Sequence, residues 1–377
     1  MDTQDKTIEV IYLEKLLIAT RDQGAADIIL TVGAPPRAKL SSGLIDLSDD
    51  VVTSDLMTAV VDHLLPERMK ESLETMGSAD FGLHSEDYGR IRFNVFRQRG
   101  DLSLVGRMVN SEIPSLHTLG LPDAIYDVMK RQTGLVLLTG STGSGKTTTM
   151  AAVIDYLNEH NNMHIISIED PIEYLHLNKK SSIEQIEVGV DSPSFDSALR
   201  GNLRRAVDVI IVGEMRDKES ISQALMLAET GHLVISTLHT DDGVNAIGRM
   251  VDVFPADQQE SVYYLLSQVL VAILTQTLLP KKDGSGACLA TEMLLGTPPV
   301  RALIRDRRAE QIYSVMQTSG EEGMYTLNDC LYDLVMNGTI EEEIAVHRST
   351  QPKWLQRRLD AAMEEAGHKS GWFGKNK

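Results

Sequence analysis

The hydrophobic pattern of this chain changes character near residue 133. Before that point apolar positions form short, scattered groups. Ile8–Arg21 has helical spacing, and "ADIILTVGAPPRAKL" reads as a strand running into a Gly-Pro turn. In "YGRIRFNVFRQRGDLSLVGRMV", Tyr88–Val109, apolar and basic residues alternate. Ile91, Phe93 and Val95 fall on one strand face, and Arg90, Arg92 and Asn94 on the other. From Thr133, short apolar strands alternate with longer amphipathic helices: "GLVLLTG", "MHIISIED", "VDVIIVGE" and "HLVISTL". That rhythm predicts an α/β fold, a parallel sheet covered by helices on both faces. After Pro280 the pattern reads as largely helical. "PVRALIRD", "TLNDCLYDLVMNG" and "PKWLQRRLDAAMEEAG" are the candidates, the second closing on Asn-Gly. Asn110–Asp123, with two prolines and two turn signals, reads as a hinge between two units.

Composition narrows this picture. A chain of 377 residues has room for two domains and a large core. Its 54 acidic against 36 basic residues give a net charge of −18, which argues against nucleic acid as the main partner. Two cysteines, Cys288 and Cys330, make no disulfide framework and fit a reducing cytoplasm. No apolar run is long enough to span a bilayer. The start, "MDTQDKTIEV", does not show the basic start and apolar core expected of a signal peptide.

The strongest chemical signal is "GSTGSGKT", Gly140–Thr147, which matches the phosphate-binding pattern G-x-x-x-x-G-K-[ST]. An apolar strand precedes it and a helix follows, as the motif requires. Glycines let the backbone curl so that successive N–H groups aim at phosphate oxygens, and the helix N-terminus adds partial positive charge. The expected nucleotide ligands are Gly140, Ser141, Thr142, Gly143, Ser144, Gly145, Lys146, Thr147 and Thr148. Lys146 is expected to reach the β- and γ-phosphates, and the Thr147 hydroxyl to ligate magnesium. In "IISIEDPIEYLH" Glu169 ends an apolar strand, at the sheet edge where open α/β folds bind ligands. A carboxylate there can orient and deprotonate an attacking water. In "VDVIIVGEMRD" the usual metal-supporting aspartate position holds Gly213, which leaves Glu214 to hold magnesium through water.

"GHLVISTLHT" places His232 and His239 seven residues apart. On a strand they would stand about 23 Å from each other on opposite faces, so they cannot share one metal. His239, at the strand's C-terminal end near the expected phosphates, reads either as an ordinary structural histidine or as a reader of the γ-phosphate. His232, at the opposite end, has an ordinary structural reading. Arg92, Arg97 and Arg107 lie among the arginines of the first unit. A solvated strand face is one reading of them; an arginine finger toward a neighbouring subunit's γ-phosphate is the other.

These elements, in this order, resemble the secretion-type ATPases that power type IV pili, and within them the retraction branch, the PilT/PilU family. "GSTGSGKTTT", "SIEDPIEY", "VIIVGEMRD" and "AETGHLVISTLHT" are similar to that family's Walker A, Asp box, Walker B and His box. The resemblance implies an N-terminal PAS-like α+β domain over residues 1–112. A linker and first core helix follow at 113–132, then a RecA-like core with a helical C-terminal part at 133–365 and a disordered tail at 366–377. It implies Glu169 as general base, Glu214 as Walker B acid, and both His232 and His239 as functional. It further implies ATP and Mg2+ as cofactors, and a homohexamer at the cytoplasmic face of the bacterial inner membrane. The expected partners are a pilus platform protein in that membrane and a PilT-like motor. Two cysteines cannot build the four-cysteine zinc module of the extension branch. "RRAVD", Arg204–Asp208, and Ile186 in place of an arginine lean toward the accessory, PilU-like member. The competing readings are a nucleotide-binding platform with little turnover of its own and a DNA-uptake or conjugation ATPase.

Overall fold

The chain is described from a computed structural model, which covers residues 8–40, 42–109, 112–202 and 206–373. It divides into two compact units: Met1–Ile113 with Pro171–Leu175, and Pro114–Asp170 with His176–Lys377.

The first unit contains helix α1 (Ile8–Asp22), strands β1 (Asp27–Thr31), β2 (Arg37–Leu40) and β3 (Gly43–Asp46), helices α2 (Ser54–Leu64) and α3 (Glu67–Met76), and strands β4 (Ser78–Ser85), β5 (Gly89–Gln98) and β6 (Asp101–Val109). Among the described residues the strands form one antiparallel sheet in the order β3-β2-β1-β6-β5-β4. This is the α+β architecture expected of a PAS-like domain. Thr53 caps α2 by accepting from the Leu56 N–H. The alternation in β5 has a direct cause. Ile91, Phe93 and Val95 are fully buried against Leu13 and Leu17 of α1 and Met57 and Val60 of α2, while the intervening polar residues stay outside that core.

The second unit opens with α4 (Ala124–Val128) and continues β7 (Gly134–Thr139), α5 (Lys146–His160), β8 (His164–Glu169), β9 (Ser182–Glu187), α6 (Phe195–Asn202), β10 (Val209–Val212), α7 (Lys218–Glu229), β11 (Leu233–Leu238), α8 (Gly243–Asp252) and α9 (Ala256–Val269). Then come β12 (Leu270–Pro280), β13 (Ala287–Leu295), α10 (Pro298–Arg305), α11 (Ile312–Thr318), α12 (Leu327–Met336), α13 (Glu342–Arg348) and α14 (Pro352–Phe373). The sheet order is β13-β12-β7-β11-β10-β8-β9, parallel except for the β12–β13 pair. β7, β10 and β11 are buried at every position, which explains their largely apolar sequences; the polar exceptions, Thr139, Ser236 and Thr237, have hydrogen-bonded hydroxyls. One face packs on α5, through Met150, Val153, Ile154 and Leu157, and on α4. The other packs on α6 through α11.

The expectation of a largely helical chain after Pro280 needs one correction. Ala287–Leu295 is a strand, paired antiparallel with β12 over nine register positions from Ala272↔Leu295 to Pro280↔Ala287. "ACLATEMLL" consists mostly of good helix formers. Pairing along β12 and burial of Ala290, Met293 and Leu294 outweigh that local preference. Glu292 of the same strand is also buried. Its Oε1 accepts from the Gly243 N–H at 2.9 Å and its Oε2 from the Leu327 N–H at 3.2 Å. One carboxylate therefore satisfies the first turns of both α8 and α12. Burial pushes its pKa up, against those two bonds.

Arg301, in the "RALIR" stretch, has a structural task of the same kind. Its guanidinium donates to the carbonyls of Gly296 at 2.7 Å, Leu270 at 2.9 Å and Gln268, tying α10 to the start of β12. Helices α12, α13 and α14 enclose a small core of Leu331, Ile340, Ala345, Leu355 and Leu359. The tail expected from residue 366 overlaps the end of α14, which runs to Phe373, and residues 374–377 lie outside the described residues. So do Asn110 and Ser111 of the expected hinge, and Arg204 and Arg205 of "RRAVD".

Candidate active site

The parallel topology brings the candidate residues to one edge. β7, β11, β10 and β8 are consecutive neighbours pointing the same way, so their C-terminal ends share one rim. The phosphate loop leaves β7, His239 follows β11, Glu214 follows β10, and Glu169 ends β8.

At Gly140 a Cβ would stand 2.2 Å from the Gln276 carbonyl oxygen and 2.6 Å from Ser144 Oγ, so no larger residue fits. Gly145, with φ at 89°, turns the loop into α5 as its N-cap and offers no side-chain cap. The N–H groups of that first turn are thus placed for an anion. β12 forms the rear wall. Gln276 Nε2 donates to the Ser144 carbonyl at 3.3 Å and to Thr149 Oγ1 at 3.0 Å, and the hydroxyls of Thr139 and Thr275 meet at 2.8 Å. Ser141, Thr142 and Gly143 are exposed at the loop tip, whereas Ser144 is buried and Thr147 and Thr148 are half-buried. Ser144 Oγ and Thr240 Oγ1 are buried hydroxyl oxygens with no hydrogen-bond partner among the described residues.

Lys146 is buried, and its Nζ donates to the carbonyls of Gly140 at 2.6 Å and Ser141 at 2.9 Å. Burial lowers its pKa, with Glu214 and Asp241 opposing. The same Nζ lies 3.4 Å from His239 Nδ1, and His239 Nε2 lies 3.1 Å from Glu214 Oε1. Arg216 Nε completes the line by donating to Glu214 Oε2 at 2.9 Å. Burial alone would push the Glu214 carboxyl up, but Arg216 and His239 together hold it below its usual value, so it is ionised at neutral pH.

Glu169 is buried at the end of β8, and two donors converge on its Oε1: Ser167 Oγ at 2.8 Å and Gln185 Nε2 at 3.2 Å. Gly213 runs beside it, its N–H donating to the Ile168 carbonyl at 2.8 Å. A Cβ on Gly213 would come 3.1 Å from that carbonyl oxygen and 3.4 Å from the Glu169 Cα. A glycine where an aspartate is usual thus leaves room for the neighbouring strand's acid.

The remaining candidates separate. His232 sits at the N-terminal end of β11, where its Nδ1 lies 3.0 Å from the Leu227 carbonyl oxygen, away from the rim that carries Lys146 and His239. In the first unit Arg92 and Arg107 are direct cross-strand partners and so lie on one face. Arg107 Nε pairs with Asp27 Oδ1 at 2.9 Å. No ion pair to Arg92 or Arg97 is found among the described residues. Arg97 is exposed near the end of β5, on the opposite side of the strand from Arg92. Sequence reasoning missed Ser167, Gln185 and Arg216. A serine two residues before Glu169 in an otherwise apolar strand was the one available signal, since residues i and i+2 share a face.

His176 supplies a pH-dependent feature of this unit. Its Nδ1 is buried with no partner among the described residues, and burial pushes its pKa down to about 4 from 6.5. The folded protein refuses a proton that the unfolded chain accepts. The resulting stability is complete above pH 6.5 and is lost as pH falls toward 4, by up to ~3 kcal/mol. Thermal unfolding from pH 7 to 4 should therefore show a shallower acid loss in His176→Gln than in the wild type. Parallel pH profiles would contradict this.

The sequence profile of the Type II/IV secretion system protein family matches residues 100–369, well over half of the chain. The chain belongs to this family. It is an ATPase of that family with a nucleotide-binding core. The type IV pilus retraction ATPase PilT of Pseudomonas aeruginosa is 40% identical over 341 residues, 90% of this chain and 99% of that protein. The type IV pilus ATPase PilU of the same organism is 36% identical over 358 residues, 95% of this chain and 94% of that protein. In three dimensions, a crystal structure of the pilus retraction motor PilT with bound ADP matches with a TM-score of 0.85 at 43% identity, covering 94% of this chain and all of that one.

Proposed function

We propose that this protein is a magnesium-dependent, ATP-hydrolysing hexameric motor at the cytoplasmic face of the inner membrane, driving or assisting retraction of a type IV pilus. The observation that carries the reading is the line Lys146–His239–Glu214 beside the phosphate loop, with Glu169 one strand further along the same rim. The loop glycines, the uncapped first turn of α5 and Lys146 bind the β- and γ-phosphates. Glu169 orients the attacking water and takes its proton. A phosphate that engages Lys146 is sensed at Glu214 through one imidazole, which gives His239 a sensing role. His232, at the far end of β11, is assigned to coupling or assembly rather than to hydrolysis.

Among the described residues no cluster of three carboxylate, histidine or cysteine side chains gathers to cage a metal. A divalent ion here must share nucleotide oxygens, which is how magnesium binds in phosphate-loop enzymes. The half-buried Thr147 hydroxyl and the ionised Glu214 suit that role, the latter through water. When bound, magnesium supplies charge neutralisation at the transferred phosphoryl group. Arg92 and Arg97, from an adjacent subunit's first unit, are the better arginine-finger candidates, because Arg107 is engaged by Asp27. A pilus platform protein of the inner membrane is the partner on which the ring acts. With PilT and PilU at 40% and 36% identity, overall similarity does not choose between their roles. The "RRAVD" and Ile186 departures lean toward the accessory role, beside a PilT-like motor.

Purified protein tests the reading directly. ATP turnover should require magnesium, stop with a chelator, and rise per subunit with protein concentration as rings assemble. Tight ATP binding with no turnover would replace the motor by a nucleotide-gated platform, and salt-sensitive DNA binding would favour the DNA-uptake reading.

A further inference from the structure

The chain makes an excursion at the catalytic rim. After Glu169 and Asp170 it leaves the second unit, and Pro171–Leu175 folds with the first. Within that first unit, Arg90 Nε donates to the Ile172 carbonyl at 2.8 Å, and Ile172 is buried. The chain returns to the second unit at His176. At the two ends of the excursion, Glu169, next to Asp170, and His176 are joined by one side chain from β9. Gln185 Nε2 donates to Glu169 Oε1 at 3.2 Å, and Gln185 Oε1 accepts from the His176 N–H at 2.9 Å.

This arrangement is specific to an amide. The carboxylate side needs a donor and the backbone N–H needs an acceptor, and a primary amide presents one of each from one planar group. The two contacts therefore fix which end of the amide faces which neighbour. Strand register puts Gln185 there: it pairs with Ser167 in the parallel β8–β9 ladder, so the two side chains rise from the same face. Both then reach the same oxygen of Glu169. Two donors on one oxygen restrict rotation of the carboxylate about its last side-chain bond. A general base has to be held in that way to act at hydrogen-bond distance.

We infer that Gln185 is a positioning residue for hydrolysis: it orients the Glu169 carboxylate and fastens it to the returning end of the Pro171–Leu175 excursion. The inference rests on Glu169 being the base. Gln185 touches neither nucleotide nor water in this scheme and acts through Glu169.

Two substitutions separate this from a merely structural role. Gln185→Leu keeps the size and removes both amide contacts. Gln185→Glu keeps an acceptor for the His176 N–H but sets a second carboxylate against Glu169. A loop clasp alone would rank Glu above Leu. Positioning of the base ranks Glu below Leu, because the like charge displaces the Glu169 carboxylate as well as losing the donor. The expected result is a kcat lowered about tenfold or more in Gln185→Leu, and further in Gln185→Glu, from loss of a hydrogen bond to a charged group. The KM for ATP, the affinity for a fluorescent ADP analogue and Tm should stay near wild type in Gln185→Leu. A wild-type kcat in Gln185→Leu, a higher kcat in Gln185→Glu than in Gln185→Leu, or a parallel fall of kcat, nucleotide affinity and Tm would each overturn it. Glu169→Gln, measured alongside, keeps the two claims apart. If Glu169→Gln still turns over, the assignment of the base fails whatever Gln185 does. If it is inactive while Gln185→Leu is normal, only the positioning role fails.

Discussion

Lys146→Ala should lower ATP turnover by at least roughly 10²–10³-fold, the usual cost of removing one preorganised donor from a charge-stabilising site. It should also abolish the rise in Tm that nucleotide confers. In the wild type, ligand at about 100 times Kd adds roughly 2.7 kcal/mol of stability, a shift of several degrees for a protein of this size. The unliganded variant should unfold near the wild-type temperature. The Lys146 ammonium is buried, and burial disfavours its charged form, so its bonds to the Gly140 and Ser141 carbonyls offset a desolvation cost. Differential scanning fluorimetry with and without ATP and magnesium, beside a phosphate-release assay, reads both quantities. Near-wild-type turnover would remove the phosphate loop from the mechanism.

Glu169→Gln should separate binding from chemistry. The amide is close in size and shape to the carboxylate, so Ser167 and Gln185 remain neighbours of a similar group. It cannot accept the proton of the attacking water, and kcat should fall by about 10²–10⁴-fold. Affinity for ATP should change little, since the phosphates are held by the loop and Lys146. A single-turnover experiment should find ATP bound and unhydrolysed. If turnover survives while Lys146→Ala is inactive, the base must be sought elsewhere on the rim, with Glu214 the first alternative.

The parts legible in the sequence have a common physical basis. Strands buried on both faces are mostly apolar, so "GLVLLT", "VIIV" and "LVISTL" stand out as near-continuous apolar runs, and they are buried at every position. The alternation over Ile91, Phe93 and Val95 is readable because a strand with one buried face repeats every two residues. The phosphate loop is readable because its backbone conformation demands glycine, as the 2.2 Å approach at Gly140 makes concrete. Ala287–Leu295 was not readable. Its residues favour helix, and only its place along β12 makes it a strand.

Charged side chains show where sequence reasoning ends. Five arginines between Arg90 and Arg107 look alike in a sequence. Their separation into Arg90 bound to the Ile172 carbonyl, Arg107 paired with Asp27, and Arg92 and Arg97 with no ion pair among the described residues depends on neighbours distant along the chain. In the sequence, the two histidines of "GHLVISTLHT" differ only by the direction of their strand. Tertiary contacts then made the difference chemical: His239 joins Lys146 to Glu214, while His232 approaches a local carbonyl.

By itself, then, the sequence determined the phosphate loop and the strand ends on which acid and histidine chemistry would lie, whereas the passage of Pro171–Leu175 into the first unit was not legible in it. The loop and the strand ends follow from short-range constraints: glycine conformation, hydrophobic period and strand polarity. The tertiary structure alone decided which side chains meet. Gln185 and Ser167 converge on Glu169 because parallel strand register aligns residues 18 positions apart, from Ser167 to Gln185. Glu292 serves two helix starts because an edge strand carries it between them. Hydrogen bonds act over about 3 Å of space, whatever the separation along the chain, and only the folded chain brings those atoms within reach.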